Sequence, residues 1–403
     1  MTAFVLGGHQ TDFARSFTRE GLDISDLVRE VVAGTLEGAA VTPDEVQTVH
    51  VGNAFGQLYT GQGHLGAMPA TVEPGLWGVP AARHEGACAS GSLAVLAATA
   101  ELDAGRYDVA LVVGAEVERS VPGDEAARLM LAAAWAGHEP VQGFVWPEQF
   151  DRLAEEYAER YGLDHAHLAG IAELNYRNAR DNPLAQTRTW SVPAFDESEA
   201  NPVVAGRVRR TDCSQVTDGG AGVVLASERF AAGWAARQGI SLDDVPRIEG
   251  WGHRTVGLPL QAKLDRSAGQ PYVLPHVREA AYDAFRRAGI ADVWGVDGVE
   301  THDCFSPSEY MAIDHLGITA PGESWKAVEE GVLERTGALP VNPSGGLIGG
   351  GHPVGATGVR MLLDAARQVT GRAGACQVEG ARRFATLNIG GSTATTVSFI
   401  VGA

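Results

Sequence analysis

Long apolar runs, paired cysteines and an excess of positive charge are all missing from this 403-residue chain. No apolar run approaches the roughly 20 residues that a membrane span needs. The opening MTAFVLGGHQTDFAR has no basic segment before its short apolar run. It therefore reads as a first strand and not as a secretory signal. Four cysteines (Cys88, Cys213, Cys304 and Cys376) lie far apart with no CxxC pair. That argues against a disulfide framework or a zinc site and favours a reducing, cytoplasmic setting. The formal net charge of -19 excludes nucleic acid and anionic membrane surfaces as expected partners. A phosphate-bearing substrate would have to be held by local groups. Lysine occurs only at Lys263 and Lys326, so arginine supplies nearly all the positive charge. The ending VSFIVGA is not a peroxisomal SKL address, and no separate lipid-transfer domain is expected after it.

What is present, 45% hydrophobic and 20% charged residues, describes a soluble globular protein of two or three packed units. Apolar periodicity gives strands at Phe4 to Gly8, Thr48 to Asn53, Asp108 to Gly114, 219–228 and Arg247 to Arg254. Helices are expected at Ile24 to Glu37, with Asp23 as N-cap, and at Leu93 to Asp103. The second part repeats the recipe: a helix from Val277 to Ala288, a strand from Trp294 to Glu300 and a helix from Thr357 to Val369. Strands near Ala385 to Asn388 and Ala394 to Val401 close it. GACASGSLAVLAATAEL parallels GGGHPVGATGVRMLLDAARQ, each a Gly-rich turn opening a helix, and GGAGVVLAS parallels GGSTATTVSFIV. The expectation is an α/β protein of two similar halves. Residues 1–118 with 207–270 make one half and 271–403 the other. Residues 119–206, which lack the βαβ rhythm, form an inserted loop domain carrying substrate contacts. Its two helical stretches run from Glu148 to Tyr161 and from His165 to Asp181.

Four stretches carry the candidate chemistry. Cys88 sits in GACASGS at a helix N-terminus. His302 and Cys304 lie in THDCF at a strand's C-terminal end, the edge where open α/β sheets place ligands. His352 lies in GGLIGGGHPVGATG, and Gly390 in the LNIGGS turn. A helix N-terminus and a nearby imidazole lower a thiol pKa, so Cys88 with His352 reads as an activated nucleophile. Backbone amides of Cys88 and Gly390 would form an oxyanion hole, and Cys304 would act as general acid or base. Each feature also has a plain alternative: Cys88 and Cys304 as core filler, His352 as a helix cap, the glycines as turns. Cys213 and Cys376 read as packing residues. Arg207, Arg209 and Arg210 are weighed as phosphate contacts against solvated surface. A metal held by His84, Cys88, His302 and Cys304 lacks a customary ligand spacing, so none is expected.

Together these stretches resemble the thiolase superfamily, most closely its sterol-carrier-protein-type branch and acetyl-CoA acetyltransferases. GACASGS is similar to the nucleophile block, NPSGGLIGGGHPVGATG to the GHP motif, and HDCF to the tetrad of that branch. DCSQVTDGGAGVVLASE resembles the strand closing the first half. The resemblance implies the thiolase fold, two βαβαβαββ halves in an αβαβα layering. It implies cleavage of 3-oxoacyl-CoA by CoA to acetyl-CoA or propionyl-CoA plus a shortened acyl-CoA, or the reverse Claisen condensation, through an acyl-Cys88 intermediate. His352 would activate Cys88 and, with His302, complete one oxyanion hole; the amides of Cys88 and Gly390 would form the second. Most thiolases carry another cysteine in a Cys-x-Gly turn, where this chain reads Asn388-Ile389-Gly390; Cys304 would take over that role. Coenzyme A is implied as substrate, with no permanently bound cofactor, and a homodimer or dimer of dimers as the assembly. Alternatives are a ketoacyl-synthase-like condensing enzyme, a partner-dependent thiolase-like protein and a non-catalytic acyl-CoA binding module.

Overall fold

The computed structural model describes residues 3–138 and 144–403. In its first half β1 (Phe4–Gln10) leads into α1 (Ile24–Ala39) and β2 (Thr48–Gly52). Short helical turns, Gly56–Thr60 and Met68–Val72, precede β3 (Ala81–His84), α2 (Ser90–Asp103) and β4 (Val109–Glu116). The chain then leaves the sheet through α3 (Val145–Tyr161), α4 (His165–Asp181) and a hairpin of β5 (Val203–Ala205) and β6 (Val208–Arg209). It returns as β7 (Gly219–Ala226). The second half contains β8 (Arg247–Thr255), α5 (Pro275–Arg287), β9 (Val299–Thr301), α6 (Ser306–Leu316), α7 (Thr357–Val369), β10 (Arg383–Gly390) and β11 (Thr395–Gly402).

The nine strands run β3-β2-β4-β7-β1-β8-β11-β10-β9, an order that mirrors itself about the β1–β8 seam. That seam is one antiparallel pair, Phe4 with Arg247. On each side the next two pairings are antiparallel and the third is parallel. The outer strand β3 has as its counterpart a single parallel bridge of Val341 to Val299. Each half therefore follows the expected βαβαβαββ order, the second with one strand shrunk to a residue. β8 lies inside the stretch grouped with the first half, yet it pairs along its length with β11.

Strand alternation sorts the core into layers. Leu111 and Val224 face α1, together with Leu27 and Val31. Their neighbours Val112 and Val223 face α2 and α7, which also meet Val397 and Phe399 of the second half. Leu387 and Ile400 face outward to α5. The two half-sheets thus enclose α2 and α7, and α1 and α5 cover the outer faces. The two long helices of the insertion pack on the second half, where Phe150, Leu153 and Leu168 share a cluster with Tyr310 and Met311, while its first turn sets Ala126 against Phe55 and Tyr59 of the first half.

Two local differences from expectation have clear causes. The strand expected from Trp294 begins only at Val299. Asp292 caps a single turn at Val293–Gly295, and the Asp297 carboxylate is held by the amides of Arg382 and Arg383. Helix α6 was not anticipated, because all its residues are buried and no polar stripe marks a helical period.

Candidate active site

Past β3 the backbone turns through Ala87, a non-glycine residue at φ 52, into a short 3-10 turn that runs straight into α2. Ser90 ties the turn: its hydroxyl donates to the Ala87 carbonyl at 2.6 Å and accepts the Gly86 N–H at 3.0 Å. Cys88 is thereby set at the N-terminus of α2, partly open to a cavity. The Gly391 amide, next to the expected oxyanion donor Gly390, faces its sulfur. Gly390 ends β10 opposite Thr395, and a Cβ there would lie 2.0 Å from the Gly86 carbonyl oxygen. The thiol is not activated at rest as its helix position suggested. Burial pushes it up to about 12, Glu118 pushes the same way, and the amides of Gly391 and Cys88 only partly oppose them.

His352 is buried, and its Nδ1 lies 2.8 Å from the Thr357 hydroxyl. That hydroxyl donates to the Pro353 carbonyl at 3.0 Å, so the ring must donate from Nδ1 and carry a lone pair on Nε2. Nε2 is buried and has no hydrogen-bond partner among the described residues. Burial, followed by Arg360, pushes the imidazole down to about 3. His302 stands edge-to-face with it, ring centroids 5.2 Å apart. The Cys88 sulfur and one nitrogen of each histidine lie within 4.8 Å of one another. A zinc ion could be held by such atoms, but a proton could pass between them only if they stay free.

Cys304 is buried in the wall of the same cavity, its thiol raised well above the ordinary range, chiefly by burial and then by Cys88. The structure thus brings Cys88, His302, Cys304 and His352 together. Cys213 also borders the cavity, its thiol donating to the Arg209 carbonyl at 3.3 Å. Of the three arginines weighed as phosphate contacts, Arg210 borders the cavity, while Arg209 donates to the Phe195 carbonyl.

Several residues that hold this arrangement went unread in the sequence. Asp303 accepts the amides of Leu347 at 2.6 Å and Ile348 at 3.0 Å, and Asn175 Nδ2 at 2.9 Å. It clamps the glycine-rich loop before His352 against the His302–Cys304 segment and the insertion. From the other side Glu118 accepts the Val354 amide at 2.7 Å, and Thr217 Oγ1 accepts the His352 amide at 2.9 Å. Glu116 takes the amides of Ala54, Phe55 and Gly355. Two carboxyls ending an otherwise apolar strand, VVGAEVE, were the available signal.

The cavity measures about 750 Å³. Its walls are mainly apolar, with Phe55, Met130, Trp146, Phe150 and Phe305 around the thiols and His352, and Glu118, Asp124, Arg210, Ser214 and Gln215 as polar exceptions.

A thiol at a helix N-terminus, an imidazole with a free lone pair and a second thiol around one apolar cavity are the equipment of cysteine-based acyl transfer. Comparison places the chain more closely. It belongs to the thiolase family: the family described as thiolase, N-terminal domain, matches residues 3–193, and the thiolase C-terminal domain-like family matches residues 264–403. The acetyl-CoA acetyltransferase of Methanothermobacter thermautotrophicus is 31% identical, with 98% of each chain aligned. Human sterol carrier protein 2 is 27% identical over 98% of this chain and 71% of its own length. Among solved structures the Ltp2-ChsH2(DUF35) aldolase has the same fold, with a TM-score of 0.77 at 19% identity, covering 100% of this chain and 98% of its own.

Proposed function

We propose that this thiolase cleaves 3-oxoacyl-CoA with CoA, or runs the reverse condensation, with Cys88 as nucleophile, His352 as its base and Cys304 as the second acid/base. The observation that carries the reading is the unpartnered, buried Nε2 of His352 within the Cys88–His302–His352 cluster. Because the resting thiol and imidazole are both neutral, the Cys88 proton passes to His352 Nε2 as sulfur attacks the 3-oxo carbon. The amides of Cys88 and Gly391 receive the oxyanion. The C2–C3 bond then breaks, leaving acyl-Cys88 and the enolate of acetyl-CoA or propionyl-CoA. Protonated His352 and His302 bind the enolate oxygen, and the Cys304 thiol protonates its carbon. The Cys304 thiolate deprotonates the incoming CoA thiol, CoA sulfur attacks acyl-Cys88, and the released Cys88 thiolate recovers its proton from His352. CoA is a substrate here and no resident cofactor is needed. The four cysteines are unpaired, which suits the cytoplasm. A homodimer or dimer of dimers could use the open edge at β3, where the neighbouring Trp77 is 82% exposed.

The test offers acetoacetyl-CoA and longer 3-oxoacyl-CoA esters with CoA, follows loss of the 3-oxoacyl absorbance and weighs the intact protein. Turnover is expected, with an acyl adduct that Cys88→Ala abolishes. Cys304→Ala should keep the adduct and turn over about 10²–10⁴-fold more slowly. An adduct without turnover indicates an absent partner or second substrate. Decarboxylation of malonyl-CoA would favour a synthase, and binding with no adduct would reduce the protein to an acyl-CoA binding module.

A further inference from the structure

Asn388, near the end of β10, stands where most thiolases resembling this chain carry a second cysteine, and no proton can be shuttled by its amide. The side chain is fully buried between the halves. Its Oδ1 lies 2.8 Å from the Ser92 hydroxyl, on α2, and its Nδ2 lies 3.1 Å from His302 Nδ1. Ser92 makes no other side-chain hydrogen bond among the described residues, so its hydroxyl hydrogen goes to Oδ1 and the Nδ2 hydrogens face the ring. Packing holds the pair in place: a Cβ on Gly358 of α7 would lie 2.3 Å from Ser92 Oγ and 2.7 Å from Asn388 Oδ1. His302 Nδ1 must therefore accept, and in a neutral ring the hydrogen sits on Nε2.

We infer that Ser92 and Asn388 are positioning residues that fix His302 as an N–H donor, in the tautomer opposite to that of His352. The two rings face each other edge-to-face, yet they are wired differently. Thr357, its hydroxyl hydrogen engaged by the Pro353 carbonyl, makes His352 a base at Nε2. Asn388, its oxygen engaged by Ser92, makes His302 a donor. One histidine can take the Cys88 proton while the other keeps a hydrogen for the enolate oxygen. Position 388 holds, in place of a residue that could carry a proton, one that decides where a neighbour's proton sits. The inference deepens the thiolase reading and rests on it for its catalytic meaning, though not for the tautomers themselves.

Nitrogen-15 NMR of the full chain labelled at histidine reads the tautomers directly, with His302→Gln and His352→Gln identifying the two rings. The expected result is hydrogen on Nε2 of His302 and on Nδ1 of His352. Asn388→Asp, which can only accept, should move the His302 hydrogen to Nδ1 and lower kcat about 100-fold, the scale of one lost oxyanion donor. KM and the rate of Cys88 alkylation should change little. Should Asn388→Asp fail to fold, Ser92→Ala frees the amide to invert; it should give a mixture of His302 tautomers and a smaller loss, about tenfold. Hydrogen on His302 Nδ1 in the unsubstituted chain, or an unchanged tautomer and kcat in Asn388→Asp, would overturn the inference. The NMR result needs no turnover. Expected tautomers in a chain inert toward every 3-oxoacyl-CoA would sink the thiolase reading alone, and reversed tautomers in an active chain would sink this inference alone.

Discussion

The two glycine-rich turns, one before α2 and one before α7, stand at matching places in mirrored half-sheets and are built by different means. The Cys88 turn is largely self-contained: Ser90 and Glu85, a few residues away, hold Gly86 and Ala87. Behind it α2 presents small apolar residues, Ala94, Val95 and Ala98, to the core. The His352 turn is held from afar, by Asp303, Thr217, Glu118 and the insertion's Asn175. Behind it α7 carries a buried cation, Arg360, bonded to Glu300 at 2.7 Å, Ser344 at 3.0 Å and Asp364 at 3.1 Å. A duplicated frame has thus kept its geometry and divided its labour. In the proposed reading one copy offers the nucleophile on a local turn, and the other gathers the groups that move and place protons.

If the second half depends on that buried ion network and the first does not, Arg360→Met should be the most damaging change. It leaves Glu300, fully buried, without its cation, a loss of about 3–5 kcal/mol. Urea unfolding should show it as a lower midpoint. The deficit carries a sign. The folded Glu300 carboxyl already lies above its ordinary value through burial, which Arg360 opposes. Without Arg360 it rises further, and the folded state binds a proton more tightly than the unfolded one. Stability of the variant is therefore retained at low pH and lost as pH rises through the raised value. The deficit should be smaller near pH 5 than near pH 8, within about the usual window of such titrations. A pH-independent loss would mean that packing, not charge, is what Arg360 provides.

The halves meet where glycine faces glycine. A Cβ on Gly91 would lie 2.9 Å from the Gly355 carbonyl and the Val359 amide, and one on Gly358 would lie 2.3 Å from the Ser92 amide. Backbone cannot yield as a side-chain tip does. Gly358→Ala should cost about 1–3 kcal/mol and should draw the His352 turn away from Cys88. The expected signature is a lowered melting temperature together with slower acylation at saturating substrate. Normal acylation in a destabilised variant would show that the contact matters to the fold alone.

This contrast explains what the sequence could disclose. The strands, the repeat and Cys88 were legible because each rests on neighbours in the chain: an apolar run, a capping Asp23, a turn closed within a few residues. The HDCF and GGGHP stretches announced His302, Cys304 and His352 but not their wiring. Asp303 was visible between two named residues, and its partners lie 44 and 45 positions away in the chain. Ser92 and Asn388 are 296 positions apart; only the enclosure of α2 and α7 between the half-sheets brings them together. Helix α6 escaped for a related reason, since burial on every side removes the period that betrays a helix.

The smallest expected effect is the one that separates the two turns chemically. With the Cys88 thiol near 12 and the His352 imidazole near 3, no thiolate–imidazolium pair forms at rest. Alkylation of Cys88 by iodoacetamide should then climb roughly tenfold per pH unit from about pH 7 to about pH 10, without a plateau. Glu118 is the charged neighbour that raises the thiol most after burial itself. Glu118→Gln keeps an acceptor for the Val354 amide and removes the charge. It should lower the thiol toward its ordinary range and speed alkylation by up to about tenfold at the alkaline end, a shift of one pKa unit. The Glu118 carboxyl is itself raised well above its ordinary value by burial and by Glu116, so the effect of the substitution should shrink as pH falls. A plateau near neutrality in the unsubstituted chain would mean that the helix N-terminus and His352 prevail over burial. The nucleophile's half would then be activated in advance, and the division of labour between the two halves would have to be redrawn with proton transfer complete before substrate arrives.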